Sequence, residues 1–445
     1  MSTPSITIKD ILRLAIPAII AGIAEPLISI TDLAVIGKME KGAIAALSAV
    51  GLVGSFLNAI IWTLAQTKTS ISSIASNALG ENRLEKIRNL IPQVIWINIA
   101  AGILIYAVTA PFASFIFTLY EADGAVLDVS ISYYQIRALG FPITLCAFSI
   151  FGIFRGLQNT SWAMVASLSG GGLNILLDII LVHGITGWIE PQGVAGAAYA
   201  SLAAQFLMMS IAIYFLYKKT RFSLKLSQWR PHEKLKKHLS LTGNFFLRTL
   251  AINVAIYLSY RFANGYSPAA AATHAILMNI WLFFSFFVDG FANAGNAIGG
   301  RLLGSKDPQG LRYLAKTTII YGVVIASILI LSCFTLYDYI PTFFTTEPPV
   351  LALLNATFWI VLIMQPINAV AFVYDGIFKG WGAASYLRNL LFLLTILVFI
   401  PTLYLTDYLG WELKAIWTAF FLWMIGRAAV LHFKFLNSLK KMEAI

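Results

Sequence analysis

The stretch PITLCAFSIFGIFRG, Pro142 to Gly156, returns as PINAVAFVYDGIFKG, Pro366 to Gly380. The proline, the Ala-Phe pair and the closing Gly-Ile-Phe-(Arg/Lys)-Gly recur at a single offset of 224 residues, from 142 to 366. The same offset relates Leu79-Gly80 to Leu303-Gly304, Arg88 to Arg312 and Leu90 to Leu314. A constant spacing sustained over half a chain marks two structurally equivalent halves. Bundles doubled in this way are a common plan for secondary transporters, in which two bodies rock about a shared cavity.

The surrounding chain is too apolar for water. Of its 445 residues, 59% are hydrophobic and 11% charged, where a soluble domain carries about 25% charge. A helix needs about 20 apolar residues to cross about 30 Å of hydrocarbon. Runs of that kind predict twelve spans, at 11–36, 43–79, 90–117, 130–157, 160–183, 192–217, 239–263, 269–303, 313–338, 350–380, 386–406 and 411–437. The fold class is all-α and polytopic, with twelve transmembrane helices in two six-helix lobes. Six spans, an even number, separate equivalent positions, so both halves share one topology and a pseudo-two-fold along the membrane normal relates them. The N-lobe takes residues 1–217, a basic linker 218–238 and the C-lobe 239–445. The first apolar run is interrupted by Glu25-Pro26 and has no small-x-small exit, so it is expected to be retained as a helix.

The net charge of +11 sits in alternate short loops. Arg83, Lys86 and Arg88, then Lys218 to Lys237, then Lys306, Arg312 and Lys316, then Lys440 and Lys441 carry it. The other loops hold Glu121, Asp123, Glu190, Asp338 and Asp407. The positive-inside rule then predicts a multi-pass protein of the cell (inner) membrane with both termini in the cytoplasm. It explains the basic excess without nucleic acid, and the linker cations suit anionic lipid headgroups. Cys146 and Cys333 lie in apolar runs and are expected to be core residues, not a disulfide. No Cys/His cluster has metal-ligand spacing, so neither a metal centre nor a cofactor is expected. Nothing in the sequence requires more than a monomer.

Charge inside a span is the informative exception. Asp32, Asp178, Asp289 and Asp375 lie well within predicted spans, with Glu25 a possible fifth. Each costs about 3 kcal/mol or more in the membrane unless it faces a wet cavity or a partner. An acid held in that way can exchange a proton or a sodium ion for a change of shape. Asn174 and Asp178, four apart, stack on one helix face and offer the oxygen ligands a hard cation takes. Asp289, Asn293 and Asn296 stack in the same manner. Pro17 and Pro26 weaken the first helix beside Asp32, making a bend easier, and Pro366 does so less directly for Asp375. The run Gly170-Gly171-Gly172 predicts tight helix packing. Trp281, Phe283, Phe284, Phe286, Phe287 and Tyr257 are candidates for the wall of a cavity for cationic substrates.

With these residues in view, the chain resembles the multidrug and toxic compound extrusion (MATE) family, closest to its DinF-like branch. The likeness rests on LAIPAIIAGIAEPLISITDLAVIGKM (Leu14 to Met39), FGIFRGLQNT (Phe151 to Thr160), GVAGAAYAS (Gly193 to Ser201), VDGFANAGNAIGGRLLG (Val288 to Gly304) and PINAVAFVYDGIFKG. The resemblance implies a twelve-helix, two-lobe antiporter that extrudes drugs or metabolites in exchange for H+ or Na+. It implies an N-lobe cation site at Asp32, Asn174 and Asp178, with Ser201 as a helix-6 hydroxyl. Lys68 falls where the branch often has a basic residue, and Asp289 and Asp375 match C-lobe acids. The sequence departs from the family at Asn296, where a glutamate is expected, and this shifts the expected coupling to the N-lobe.

The function expected is thus a cation-coupled antiporter working by alternating access, with small-molecule substrates and membrane lipids as its partners. The alternative is a flippase for lipid-linked precursors, which tends to have a strongly cationic central cavity. The intramembrane basic residues counted here are few: Lys68 and Arg248, with Arg137 and Arg261 as further candidates. A membrane-embedded enzyme would need a clustered metal or nucleophile motif, and neither HExxH nor GxSxG occurs.

Overall fold

The structure, a computed structural model, describes residues 6–39, 42–227 and 230–444, and leaves the side chains of 24–27, 29 and 30 undescribed. Glu25 and Pro26 are therefore outside the described side chains. No strand occurs among the described residues. The long helices are α1 (Ile8–Gly37), α2 (Ala43–Gly80), α3 (Leu90–Thr109), α4 (Gly124–Ala138 with Gly140–Gly156), α5 (Ser161–His183) and α6 (Gly193–Lys219). The second six are α7 (Leu235–Tyr266), α8 (Pro268–Gly304), α9 (Pro308–Thr335), α10 (Pro348–Ile363 with Gln365–Gly380), α11 (Ala384–Tyr408) and α12 (Leu413–Glu443). Among the described residues, nine helices and two bent pairs are long and apolar enough to cross a membrane. The 30-residue α1 brings the total to twelve, in agreement with the predicted fold class.

The repeated proline writes the same bend into both halves. α4 breaks by 42° after Ala138, and α10 by 45° after Ile363. Pro142 has no N–H for the Ala138 carbonyl, and Pro366 none for that of Leu362, so each helix loses a bond and gains a clash at that turn. A third proline acts differently. Ahead of Pro401, residues Thr395–Phe399 of α11 widen into a π turn, with the Ile400 N–H bonded to the Thr395 carbonyl.

The repeated glycines fix how these helices pack. A Cβ at Gly152 of α4 would strike the Lys68 backbone and Ile71 of α2, and one at Gly376 of α10 would strike the Ala292 backbone of α8. Lys68 and Ala292 are themselves 224 residues apart, so the contact is the same in each half. A second pair is reciprocal. A Cβ at Gly80 would overlap the Arg301 carbonyl, and one at Gly304 the Asn77 carbonyl. Residue i meeting j while the equivalent of j meets the equivalent of i is the signature of a local two-fold.

Two compact units result. One comprises Met1–Ile19, Ser76–Asn82 and Ser240–Ile445, and the other Ile20–Ala75 and Arg83–Leu239. The ends of α1 and α2 join the later unit because its glycines admit them. Gly290 approaches Ala15 and Ile19, and Gly300 approaches Ser76. Elsewhere the surface is apolar, as lipid requires. Ile320, Val324, Ile328 and Leu331 of α9 are exposed along one stripe, while Thr318, Gly322 and Ala326 of the same helix are buried.

The linker is tied down within the earlier unit. The Gln93 side chain donates to the Arg230 carbonyl at 2.8 Å and accepts from the His232 N–H at 2.9 Å. Ser70 Oγ lies 2.9 Å from His238 Nδ1 and donates to the His238 carbonyl at 3.0 Å.

Gly376→Val forces a side chain into the Ala292 backbone and should lower stability by about 1–3 kcal/mol. Gly243→Ala, at an exposed α7 site with nothing near its Cβ, should raise it by up to about 1 kcal/mol. Thermal unfolding of the two variants in detergent, followed by size-exclusion chromatography, checks both.

Candidate functional site

Two glycines of α5 draw three helices together. A Cβ at Gly171 would strike Ile28 of α1, and one at Gly170 would press on the Ala204 carbonyl and Met208 of α6. With α1 and α6 so near, Asp32, Asn174 and Ser201 line one cavity of about 230 Å³. Asp178 is fully buried beside it. The Asn174 amide donates to Asp178 Oδ2 at 3.0 Å, as the four-residue spacing anticipates. The Asp178 carboxyl also lies near enough to that of Asp32 for the two to interact. Oδ1 of each acid is buried and accepts no hydrogen bond among the described residues. The structure therefore brings Asp32, Asn174, Asp178 and Ser201 into one place, from three helices.

Arg137 of α4 lines the same cavity, a placement that counting basic residues in the sequence did not anticipate. Its guanidinium lies 5.9 Å from the Tyr133 ring centroid, its Nε is buried without a hydrogen bond, and it acts electrostatically on Asp178. The available signal was Tyr133 and Arg137 one turn apart inside a span. Lys68 is not a lining residue. Its ammonium rests 5.7 Å from the ring centroid of Phe148 and 5.8 Å from that of Phe151, a cation–π arrangement, and Phe148 forms part of the cavity wall. Pro17 is half-buried in an α1 that is helical throughout.

The predicted C-lobe residues stand in other surroundings. Asp289 is exposed, Asn293 half-buried, and Asn296 buried with its carbonyl against Gly380. Asp375, only 3% exposed, is enclosed by cations. Arg248 Nη2 lies 2.7 Å from both of its oxygens, Lys379 Nζ 2.8 Å from Oδ2 and Arg427 Nη2 3.8 Å from Oδ1. Asp289 acts electrostatically on Lys379 and Arg427. Lys379, four residues after Asp375, was legible as an ion pair. Arg427, deep in α12, was legible as a charge in need of a partner. The aromatic residues proposed as a cavity wall do not line this cavity. Trp281 packs on Trp417 and Phe420 instead, and Phe283 and Tyr257 are exposed.

The sequence profile of the family described as MatE matches residues 17–180 and 246–405, one block in each half. The chain is 27% identical to Protein DETOXIFICATION 44, chloroplastic, of Arabidopsis thaliana, over 94% of its own length and 80% of that protein's. It is 24% identical to DNA damage-inducible protein F of Escherichia coli, over 86% and 82% of the two lengths. Among solved structures, the outward-facing conformation of a multidrug resistance MATE family transporter of the MOP superfamily superposes with a TM-score of 0.88. That match covers 98% of this chain and 97% of the other at 20% identity, a likeness of fold.

Asp375→Asn should leave two buried guanidiniums and the half-buried Lys379 undercompensated and cost about 3–5 kcal/mol. Adding Arg427→Met should restore part of the loss. Thermal unfolding of the single and double variants measures both.

Proposed function

The chain belongs to the MatE family, and on that premise we propose a secondary antiporter that extrudes organic compounds, many of them cationic, in exchange for H+ or Na+. It is a multi-pass membrane transporter of small molecules and not an enzyme. The reading is supported above all by the Asp32–Asp178 pair, two adjoining carboxyls with unbonded buried oxygens beside a polar cavity.

With both acids ionised, two like charges stand close together in a medium that screens them weakly. A proton or a sodium ion taken up there removes the repulsion and joins α1 to α5. Sodium takes oxygen ligands, and Asp32, Asp178, the Asn174 amide oxygen and the Ser201 hydroxyl are the ones within reach. The response is a bend of α1 at Pro17 and Pro26, where the Arg13 and Gly22 carbonyls have no proline N–H to accept. That bend narrows the cavity and releases substrate to the outside. Both termini face the cytoplasm, and the working unit is a monomer. Asp375, held by Arg248 and Lys379, serves as a fixed counter-ion in this scheme, which leaves coupling to the earlier half. A flippase for phosphate-bearing precursors is less well supported, because the cavity wall carries a single basic side chain, Arg137, opposed by Asp32.

Asp32→Asn, produced at the wild-type membrane level in an efflux-deficient host, should abolish resistance to ethidium. Full resistance in that variant overturns the mechanism.

A further inference from the structure

Arg137 stands on the wall of the cavity that holds Asp32, and the scheme above gives it no task. A guanidinium keeps its charge at every physiological pH, and charge at membrane depth calls for a counter-charge. Among the described residues no ion pair or hydrogen bond holds Arg137. Its Nε is buried and unbonded, and the Tyr133 ring is its nearest described aromatic contact. The acids acting on the same neighbourhood are Asp32 and Asp178, which influence Tyr133 together with Arg137.

We propose that Arg137 reverses the sign of the chamber's charge once both acids have taken up their ions, so that a cationic substrate is driven out and not merely let go. The proposal rests on the Asp32–Asp178 coupling reading. With both acids ionised, the two carboxylates outweigh the guanidinium, and the chamber holds one net negative charge that attracts an organic cation. One ion taken up brings the sum to zero. A second leaves the guanidinium as the remaining charge, and the chamber repels what it had held. Without Arg137 the same loading would end at zero, with attraction removed and nothing in its place.

The other described groups facing this region leave the count unchanged. Asn58 and Thr144 are neutral lining residues, as are Asn174, Ser201 and Gln205. Tyr133 is a buried phenol on α4. Lys68 of α2 lies against Phe148 and is not part of the lining. Because coupling between two ligands is reciprocal, a bound organic cation must weaken ion binding by the same factor.

The test uses the full-length protein in nanodiscs of uncharged lipid, with ethidium as the cationic probe and a sulfonated dye as the anionic one. In the unaltered protein, lowering the pH or adding sodium should weaken ethidium and strengthen the sulfonated dye. If both probes weaken alike, the proposal fails, and no variant is needed to see it. In Arg137→Gln, ethidium should bind about tenfold more tightly than in the wild type both before and after loading, the scale of one unit charge at this range, and the loaded variant should lose the preference for the sulfonated dye. Arg137→Lys should keep the wild-type affinities. Wild-type affinities of loaded Arg137→Gln for both probes overturn the proposal. Asp32→Asn separates the two levels. Loss of ion sensitivity there alongside wild-type loaded-state affinities in Arg137→Gln sinks only the role of Arg137, whereas retained ion sensitivity in Asp32→Asn sinks the coupling reading beneath it.

Discussion

In hydrocarbon an apolar side chain gains little by exchanging a lipid tail for another side chain, so helices associate where their backbones can touch. Gly152 against Lys68, Gly376 against Ala292, and Gly171 against Ile28 are contacts of this kind. Each admits a neighbouring backbone or side chain into the space a Cβ would take. The charged groups follow from this packing. Asp32 reaches the neighbourhood of Asp178 because α5 presents glycine to α1, and Ser201 joins them because the adjacent glycine admits α6. A larger residue at either glycine would separate the oxygens before it unfolded anything.

The two halves share a scaffold and have exchanged their charges. Asp375 of α10 stands where the earlier half has Phe151, and Lys68 of α2 stands where the later half has Ala292, each at the repeat offset. In the earlier half a cation lies over aromatic rings, and in the later half an acid is held by Arg248 and Lys379. A buried carboxylate gripped by several cations is fixed by them, since removing its charge would strand its partners. A carboxyl whose nearest partners are an amide and another acid has no such anchor. The asymmetry accompanies the asparagine at position 296 and is the reason the proposed scheme has one ion-responsive half.

The span count and the bend of α10 at Pro366 were legible in the sequence, because a hydrophobic run and a helix proline act through the local backbone, and the repeat carries the same signal to Pro142 of α4. Asn174 and Asp178 were legible as a pair for the same reason, four residues on one helix. Their meeting with Asp32 and Ser201 depends on distances between helices, and only the family resemblance supplied it. The aromatic wall failed because Trp281 and Tyr257 carry no local mark that separates a cavity from a core or a lipid face. Arg427 was passed over, and Arg137 was named only as a candidate intramembrane cation, because a lone basic residue in a span states a need for a counter-charge without stating which one.

Three of the four borders between the two compact units, Ile19/Ile20, Ala75/Ser76 and Leu239/Ser240, lie inside helices, α1, α2 and α7. The basic segment before α7 is stapled by Gln93, and α7 itself is pinned at His238 by Ser70. A slack tether would absorb displacement, but a continuous helix passes on torque. Each of these borders is therefore crossed by a rod and not by a loop, and the segment before α7 is a clamp and not a hinge.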